Sequence, residues 1–387
     1  MLAENITRGA QNLLLNCAGL ASGDRLLIVV EEAFPHYYDP ALATAISTAA
    51  FQLGILVETH KVPFIAQVTE PDQALQDAMA KADRTLFLAR IGDQLRFSET
   101  LAQGRPVVSY VFDTEMLGSS YGTAHHRGFT ELKDRFNAAF AKARRIRVTC
   151  PLGTDFEGPG TGLPDAAPDV SVARFPMTVF TPIPAAGFRG QIAQAGFLTG
   201  TGSNYYTPYT VALDGILVAH FDKGRITGFS GSPADVARAK AHYADVAQQL
   251  GIDRDFVHSW HAGMHPGCSY RQQAARSPER WAGAAFGNPR VLHVHTCGSY
   301  APGEISLNII DPTVTLDGVS VWEDGRLYPQ RISGGAELLA KYPCAASAFA
   351  NPARNIGLSS AGQLSSVVES APVEPHVDPF SRGRVRV

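Results

Sequence analysis

The stretch Gly23-Asp24-Arg25-Leu26-Leu27-Ile28-Val29-Val30 decides the fold class, because the five consecutive apolar residues 26–30 follow the turn signal Gly23-Asp24. Such a run is typical of a strand buried on both faces of a parallel sheet. Helical spacing of Ala and Leu follows over 40–53, and a second apolar strand over 55–60. The alternation continues with helices over 71–82 and 131–143 and strands over 85–89, 107–112 and 145–150. We therefore predict an N-terminal α/β domain, a Rossmann-like parallel sheet covered by helices, over residues 1–157.

The residues after the first strand argue against a nucleotide cofactor. Glu31-Glu32-Ala33-Phe34-Pro35-His36 contains no G-x-G-x-x-G, and two carboxylates at this strand end would repel a pyrophosphate. We expect neither NAD nor another nucleotide to bind there.

The pattern changes after a stretch over 158–170 that is rich in Gly, Pro, Asp and Ala and is typical of a loop or domain junction. Short apolar strands then alternate with the turn signals Asp222-Lys223-Gly224, Asp317-Gly318 and Asp324-Gly325. One helix interrupts them over 232–250, opened by Ser232-Pro233 and closed by Gly251. We predict an α+β catalytic domain over 171–345 and a C-terminal extension over 346–387.

Composition excludes several classes of protein. The 387 residues are 45% apolar and 18% charged with a formal net charge of −3, and they contain no long basic stripe or 18-residue apolar run. Neither a nucleic-acid nor a membrane partner is therefore expected. The five cysteines form no CxxC and residues 1–5 lack a basic signal-peptide start, so we predict a reduced, cytoplasmic chain.

Histidines concentrate in one part of the chain. Five of the twelve lie within residues 258–295: His258, His261, His265, His293 and His295. The period of two in His293-Val294-His295 places both rings on one face of a strand, whereas Gly263 and Pro266-Gly267 make the 261–265 segment a loop or single turn. A single buried histidine is usually only hydrogen-bonded, but two such groups together favour a metal site for Fe or Zn.

Other chemistries remain open. Cys268 and Cys297 lie near histidines, so a Cys–His pair is an alternative, although a small packed residue is the simpler interpretation of each. The aromatic cluster Tyr205, Tyr206 and Tyr209 can line a pocket for a planar substrate or can form a strand edge.

Several segments, in the same order along residues 5–330, resemble the aminopeptidase T family of metallopeptidases and the iron-dependent 2,5-dihydroxypyridine dioxygenases. These segments are Leu14–Asp24, Val148–Asp155, His261–Pro266, the strand around His293, Asp311–Gly318 and Asp324–Leu327. The resemblance implies a Rossmann-like domain followed by a catalytic α+β domain, in a dimer or larger homo-oligomer. His261 matches an iron ligand of the dioxygenases, where the peptidases have Glu, and a family histidine also matches His293.

The chain departs from the family at one important place. The family has an HxD metal pair just before the hairpin that turns at Asp317-Gly318, where this chain has Ser306-Leu307-Asn308. Three explanations follow: the metal is held by His261, His265, His293 and His295; the pocket performs metal-free chemistry; or catalysis is lost. We favour the first. Glu304 or Asp311 can serve as a carboxylate ligand or as a partner of a histidine, although a surface role is the simpler interpretation of each.

The leading functional hypothesis is an Fe(II)-dependent, ring-opening dioxygenase that uses O₂ on a small hydroxylated aromatic or N-heterocycle, such as a hydroxypyridine. His258 and Tyr206 are the candidate catalytic residues, and the candidate substrate-binding residues are Tyr205, Tyr209, Arg189, Arg271, Ser306 and Asn308. A Zn or Mn hydrolase of the amidase or aminopeptidase type is the alternative. A non-catalytic ligand-binding or scaffold protein is the third hypothesis.

Overall fold

A computed structural model describes residues 2–32, 34–162, 170–299 and 303–369. The helices are α1 (Leu2–Gln11), α2 (Pro40–Gln52), α3 (Gln73–Met79), α4 (Arg90–Gln94), α5 (Glu99–Gln103), α6 (Thr114–Gly118), α7 (Ser120–Thr123), α8 (His126–Lys142), α9 (Pro233–Leu250), α10 (Pro278–Ala285), α11 (Gly335–Lys341) and α12 (Pro343–Ala350). Short helical turns cover Asn12–Cys17, Ala185–Gly187, Ala274–Arg276 and Pro329–Arg331. No helix in these ranges is both long and apolar enough to cross a bilayer.

The strands, in chain order, are β1 (Arg25–Glu31), β2 (Leu56–Val62), β3 (Arg84–Leu88), β4 (Pro106–Ser109), β5 (Ile146–Thr149), β6 (Asp155–Gly158), β7 (Ala173–Phe175), β8 (Ile183–Pro184), β9 (Arg189–Gln194), β10 (Phe197–Gly200), β11 (Thr210–Ala212), β12 (Leu217–Asp222), β13 (Arg225–Ser230), β14 (Val257–Ala262), β15 (Val291–Thr296), β16 (Ile305–Ile310), β17 (Thr313–Leu316), β18 (Val319–Glu323) and β19 (Arg326–Leu327).

The first sheet is parallel throughout, in the order β2-β1-β3-β4-β7. The run Leu26–Val29 in β1 is buried, as an apolar strand covered on both faces requires. Helix α2 follows it, and the Asp39 carboxylate caps that helix by accepting from the Ala41 amide. The predicted parallel α/β sheet is confirmed.

Two antiparallel sheets form the rest of the structure. One has the order β11-β10-β16-β15-β14-β8 and the other β13-β12-β9-β6-β5-β17-β18-β19. Their side chains meet in one apolar core, in which the Trp260 ring on β14 contacts the Phe156 ring on β6 edge-on with centroids 5.8 Å apart. Because side chains alternate along a strand, the neighbours of Trp260 on β14, Ser259 and His261, face away from this core.

The local predictions for the second half hold well. Helix α9 starts after Ser232, whose hydroxyl accepts from the Asp235 amide, and ends at Gly251 with a left-handed φ of 67°. The three predicted turns join β12 to β13, β17 to β18, and β18 to β19.

The sheets do not follow the predicted boundary at residue 157. Strand β5 precedes it and β6 crosses it, yet β5 pairs with β17 and β6 pairs with β9 in the eight-stranded sheet. Strand β7, which follows residue 170, instead completes the parallel sheet beside β4. Strand pairing across the chain explains the difference, since a local apolar pattern does not specify which sheet a strand joins.

The predicted C-terminal extension packs on the protein as far as it is described. Ile356 is buried, and its carbonyl oxygen accepts from the Trp281 indole nitrogen over 2.7 Å. Leu364 joins the same apolar cluster as Trp281. Residues 370–387 of the extension, and 163–169 of the predicted junction loop, lie outside the described residues.

Candidate metal centre and cavity

One face of the six-stranded sheet carries the candidate site. In the register of β14, β15 and β16, His261 lies opposite His293, which lies opposite Asn308. The adjacent row on the same face is Ser259, His295 and Ser306. Alternation along each strand explains why these polar side chains share the face opposite Trp260. The predicted common face of His293 and His295 is therefore present, and β14 adds His261 to it.

The three imidazoles are close enough to share one ion. One nitrogen from each of His261, His293 and His295 lies within 4.8 Å of the other two, and all three side chains are buried. The Nε2 atoms of His261 and His293 are 2.5 Å apart. The ring centroid of His295 lies 4.9 Å from the centroid of the His261 ring and 4.9 Å from that of the His293 ring.

Hydrogen bonds orient two of the rings. His261 Nδ1 donates to the Phe180 carbonyl oxygen over 3.3 Å, which leaves the lone pair on Nε2 facing His293. His295 Nδ1 lies 3.1 Å from the Ser259 hydroxyl, which lies 2.8 Å from His258 Nδ1. When His295 donates to Ser259 and Ser259 donates to His258, the lone pair of His295 is on Nε2. Such partners on the distal nitrogen are typical of metal-binding histidines.

Burial keeps these imidazoles neutral. It lowers the pKa of His293 to about 3, with a further contribution from the positive charge of Arg96. Burial also lowers the pKa values of His261 and His295 well below the ordinary range, and the neighbouring His293 and Arg174 lower both further. Metal binding requires neutral imidazole, so no proton has to be displaced at pH 7.

A cavity of about 120 Å³ opens over the three histidines. A cavity needs roughly 10–15 Å³ to hold one water, so this cavity has room for a small ligand. Its walls come both from the six-stranded sheet and from loops at the carboxyl edge of the parallel sheet. The aromatic lining residues are Tyr37, Tyr38, Phe97, Tyr110, Phe112, Tyr205, Tyr209 and Phe286.

The charged lining residues were not foreseen from the sequence. They are Arg90, Arg96, Arg174, Asp93 and Glu279. Arg90 lies just after β3, and Asp93 and Arg96 follow it at the same sheet edge. Ligands of open α/β sheets bind beyond the carboxyl ends of the strands, so the charged residues after the third predicted strand were the available signal.

Most predicted contact residues do line this cavity. His258, Tyr205, Tyr209, Ser306 and Asn308 are all in its wall. The Tyr205 and Tyr209 rings stack on each other with centroids 4.8 Å apart. Their alternative interpretation as an exposed strand edge does not hold, since Tyr205 is only 8% exposed.

Tyr206 and His265, a predicted catalytic residue and a predicted metal ligand, lie outside the cavity lining. The Tyr206 hydroxyl donates to the Glu304 carbonyl oxygen over 2.8 Å, so its proton is already engaged. His265 follows the end of β14, so its ring leaves the sheet face and stacks on Phe129 with centroids 3.8 Å apart. Its Nδ1 accepts from the Gly267 amide, a bond typical of a structural histidine.

The predicted substrate residues Arg189 and Arg271 also lie elsewhere. Arg189 is on β9 of the other antiparallel sheet, where it borders an open surface depression. Arg271 is exposed and pairs with Glu115.

The suggested carboxylate partners do not reach the cavity. Glu304 is buried and accepts from the Asn204 amide over 2.9 Å. Asp311 forms a two-pronged ion pair with Arg290.

The Cys–His alternative is not supported by the geometry. Cys268 Sγ contacts the Ala284 carbonyl oxygen and Cys297 Sγ contacts that of Tyr243, and both side chains are buried. Burial raises the pKa of each thiol to about 12, so neither forms a thiolate at neutral pH.

Comparison with known proteins supports the fold. No protein-family model and no curated protein sequence matches the chain. Among solved structures it is similar to 2,5-dihydroxypyridine dioxygenase from Pseudomonas putida KT2440, with 15% identity and a TM-score of 0.57 over 85% of this chain and 99% of that one. It also matches wild-type AmpT from Thermus thermophilus, with 11% identity and a TM-score of 0.48 over 84% of this chain and all of that one. At such identities the first similarity shows a shared fold, and the second carries no argument of its own.

The three-histidine cluster fits a divalent transition metal. Nitrogens bound to one ion at roughly 2.0–2.1 Å lie about 3 Å apart, between the shortest and longest separations of this cluster. His293 Nδ1 is buried without a hydrogen-bond partner among the described residues, and such an unsatisfied polar atom is a position that a ligand or an ion can satisfy. Three imidazoles with a cavity on the open side form a donor set that Zn and Fe both accept.

Proposed function

We propose that this protein is a metal-dependent enzyme whose ion is held by His261, His293 and His295, and that it opens the ring of a small hydroxylated aromatic or N-heterocycle with O₂. The observation that carries the proposal is the three-histidine cluster at the base of an aromatic-walled cavity. The fold is shared with a 2,5-dihydroxypyridine dioxygenase, whose named substrate is a molecule of this size and shape. Homo-oligomerisation and a cytoplasmic location remain predictions from the sequence.

The proposed roles follow from the placement of each group. A bound Fe(II) would supply the electron transfer that lets O₂ react with an aromatic ring. Tyr205 and Tyr209 offer aromatic surface to a planar substrate in the same cavity. The Tyr209 oxygen accepts from the Gly202 amide over 3.0 Å, so its own proton is available to a substrate oxygen.

His258 is the group we propose for proton transfer. It lines the cavity and is joined to His295 through the Ser259 hydroxyl. Burial lowers its pKa, so the ring is neutral at pH 7. With Nδ1 accepting from Ser259, the ring proton is on Nε2, which can donate it to a substrate oxygen.

Oxygen uptake tests this function. Protein loaded anaerobically with Fe(II) is mixed with a panel of hydroxylated aromatic rings and N-heterocycles, hydroxypyridines and hydroxybenzoates among them, in an oxygen electrode, while the ring absorbance is followed. We expect one O₂ consumed per ring lost, and no uptake by His293→Ala. Stoichiometric iron without uptake on any hydroxylated ring would refute the oxygenase.

A zinc hydrolase is the second candidate, because three histidines with an open position also form a catalytic zinc donor set. Its test is hydrolysis of amino-acid amides and short peptides by the Zn- or Mn-loaded protein under argon. Turnover without O₂ that is lost in His293→Ala would establish the hydrolase.

A further inference from the structure

The three-histidine cluster has no negatively charged ligand. Among the described residues, no Asp or Glu joins His261, His293 and His295. The side chains opposite His293 and His295 on β16 are the neutral Asn308 and Ser306. Three neutral imidazoles leave both positive charges of a divalent ion uncompensated in a buried site, which costs free energy unless an anion arrives.

The carboxylates that line the cavity are already engaged. Asp93 accepts from the Tyr110 hydroxyl over 2.8 Å and lies 3.6 Å from Arg96. Glu279 pairs with Arg90. Both side chains are thus held by neighbouring groups of the wall, and neither belongs to the cluster that can hold the ion.

Asn308 provides a donor for an incoming anion. Its Oδ1 accepts from the Ser306 hydroxyl over 3.0 Å, and its backbone amide donates to the Gln194 side chain. Its Nδ2 is buried and has no partner among the described residues, while the side chain lines the cavity. A buried amide donor without a partner costs about 1–3 kcal/mol, which a ligand oxygen would recover.

We propose that the substrate is a chelating anion, namely an aromatic or heteroaromatic ring with a hydroxyl group next to a carboxylate. Its negative charge replaces the missing carboxylate ligand, and one of its oxygens accepts a hydrogen bond from Asn308 Nδ2. The inference rests on the metal site of the proposed function and specifies its substrate class. Two adjacent oxygens fit because three protein ligands leave several positions of an octahedral or five-coordinate ion open.

Two isomeric probes separate chelation from simple charge. Zn(II)-loaded protein is titrated in a calorimeter with 2-hydroxybenzoate and with 4-hydroxybenzoate, which have the same charge and size but differ in their ability to chelate. We expect the 2-isomer to bind at least tenfold more tightly, and the difference to vanish in metal-free protein. Equal affinities for the two isomers in the zinc form would overturn the proposal.

The variant Asn308→Asp tests the charge argument independently, because it places a carboxylate opposite His293. We expect zinc to bind more tightly and 2-hydroxybenzoate at least tenfold more weakly, while Asn308→Ala loses anion affinity without gaining zinc affinity. Asn351→Asp, an exposed position, controls for added charge. Unchanged anion affinity in Asn308→Asp would refute this inference alone, whereas wild-type protein that binds no metal would refute it together with the proposed function.

Discussion

Replacing Arg90 tests whether a buried ion pair holds the cavity wall together. The Arg90 guanidinium pairs with Glu31 over 2.6 Å and also with Glu279, and their side chains are 10%, 4% and 32% exposed. It also lies 3.5 Å from the centre of the Phe64 ring. Glu31 ends β1 and Glu279 is on α10, so one cation joins separate elements.

The expected cost follows from the burial. Removing one partner of a buried pair leaves an uncompensated charge and costs about 3–5 kcal/mol. We therefore expect Arg90→Met, which preserves most of the side-chain volume, to lower the free energy of unfolding by about that amount. The Arg147–Asp155 pair is the matched control, because it has similar two-pronged geometry but is about half exposed. Arg147→Met should cost less than about 1 kcal/mol.

Urea unfolding followed by circular dichroism provides the measurement. A second variant identifies the cause, since Glu31→Gln in the Arg90→Met background removes the buried unpaired charge and should recover part of the loss. The reasoning is refuted if Arg90→Met costs no more than Arg147→Met, or if Glu31→Gln adds a further loss.

Three further predictions follow. At a free metal concentration of one hundred times its Kd, the bound metal should raise the free energy of unfolding by about 2.7 kcal/mol. For a chain of 387 residues this corresponds to a Tm rise of about 3 °C. A chelator should abolish this rise in calorimetry, and His293→Ala should show no rise. Ser259→Ala removes the hydrogen-bond partner of His295 and should weaken metal binding about 10–100-fold, measured by competition with a chromophoric chelator. Burial alone would raise the pKa of Asp235, but hydrogen bonds from backbone amides and from Ser232 lower it. The ionised Asp235 therefore stabilises the folded protein above about pH 4, and this stabilisation is lost as the pH falls below that value. Asp235→Asn should therefore cost about 1–3 kcal/mol at pH 7 and show a smaller loss between pH 7 and pH 3 in urea titrations.

Local patterns in the sequence predicted much of the fold. The apolar run of β1, the capped helix α9 and the Asp-Gly turns each carry their signal within a few residues. The sheet to which each strand belongs could not be predicted in this way. Strand β5 pairs with the distant β17 in the antiparallel sheet, and β7 pairs with β4 in the parallel sheet.

The candidate site was predictable where one strand carried the signal. The HxH period placed His293 and His295 on one face, and Ser306 and Asn308 share that face on β16. His265 was included as an extra histidine close to His261 in the sequence, in place of the missing family ligands, but closeness along the chain does not fix the direction of a side chain. The segment is instead the end of a strand and the loop after it.

The charged side of the cavity depends on contacts between distant segments. Arg90, Arg96 and Arg174 lie far from the histidines in the sequence and reach them through the carboxyl edge of the parallel sheet. Predicting them would have required knowledge of how that edge packs on β14–β16.

The central claim is tested most directly by the metal content of protein purified without oxygen. Elemental analysis is made on the wild type, on the double variant His261→Ala, His293→Ala, and on His265→Gln, a buried histidine outside the cluster. We predict close to one transition-metal ion per chain in the wild type and in His265→Gln, and none in the double variant. Wild-type protein without metal, or a double variant that keeps it, would contradict the assignment of these histidines as the metal centre.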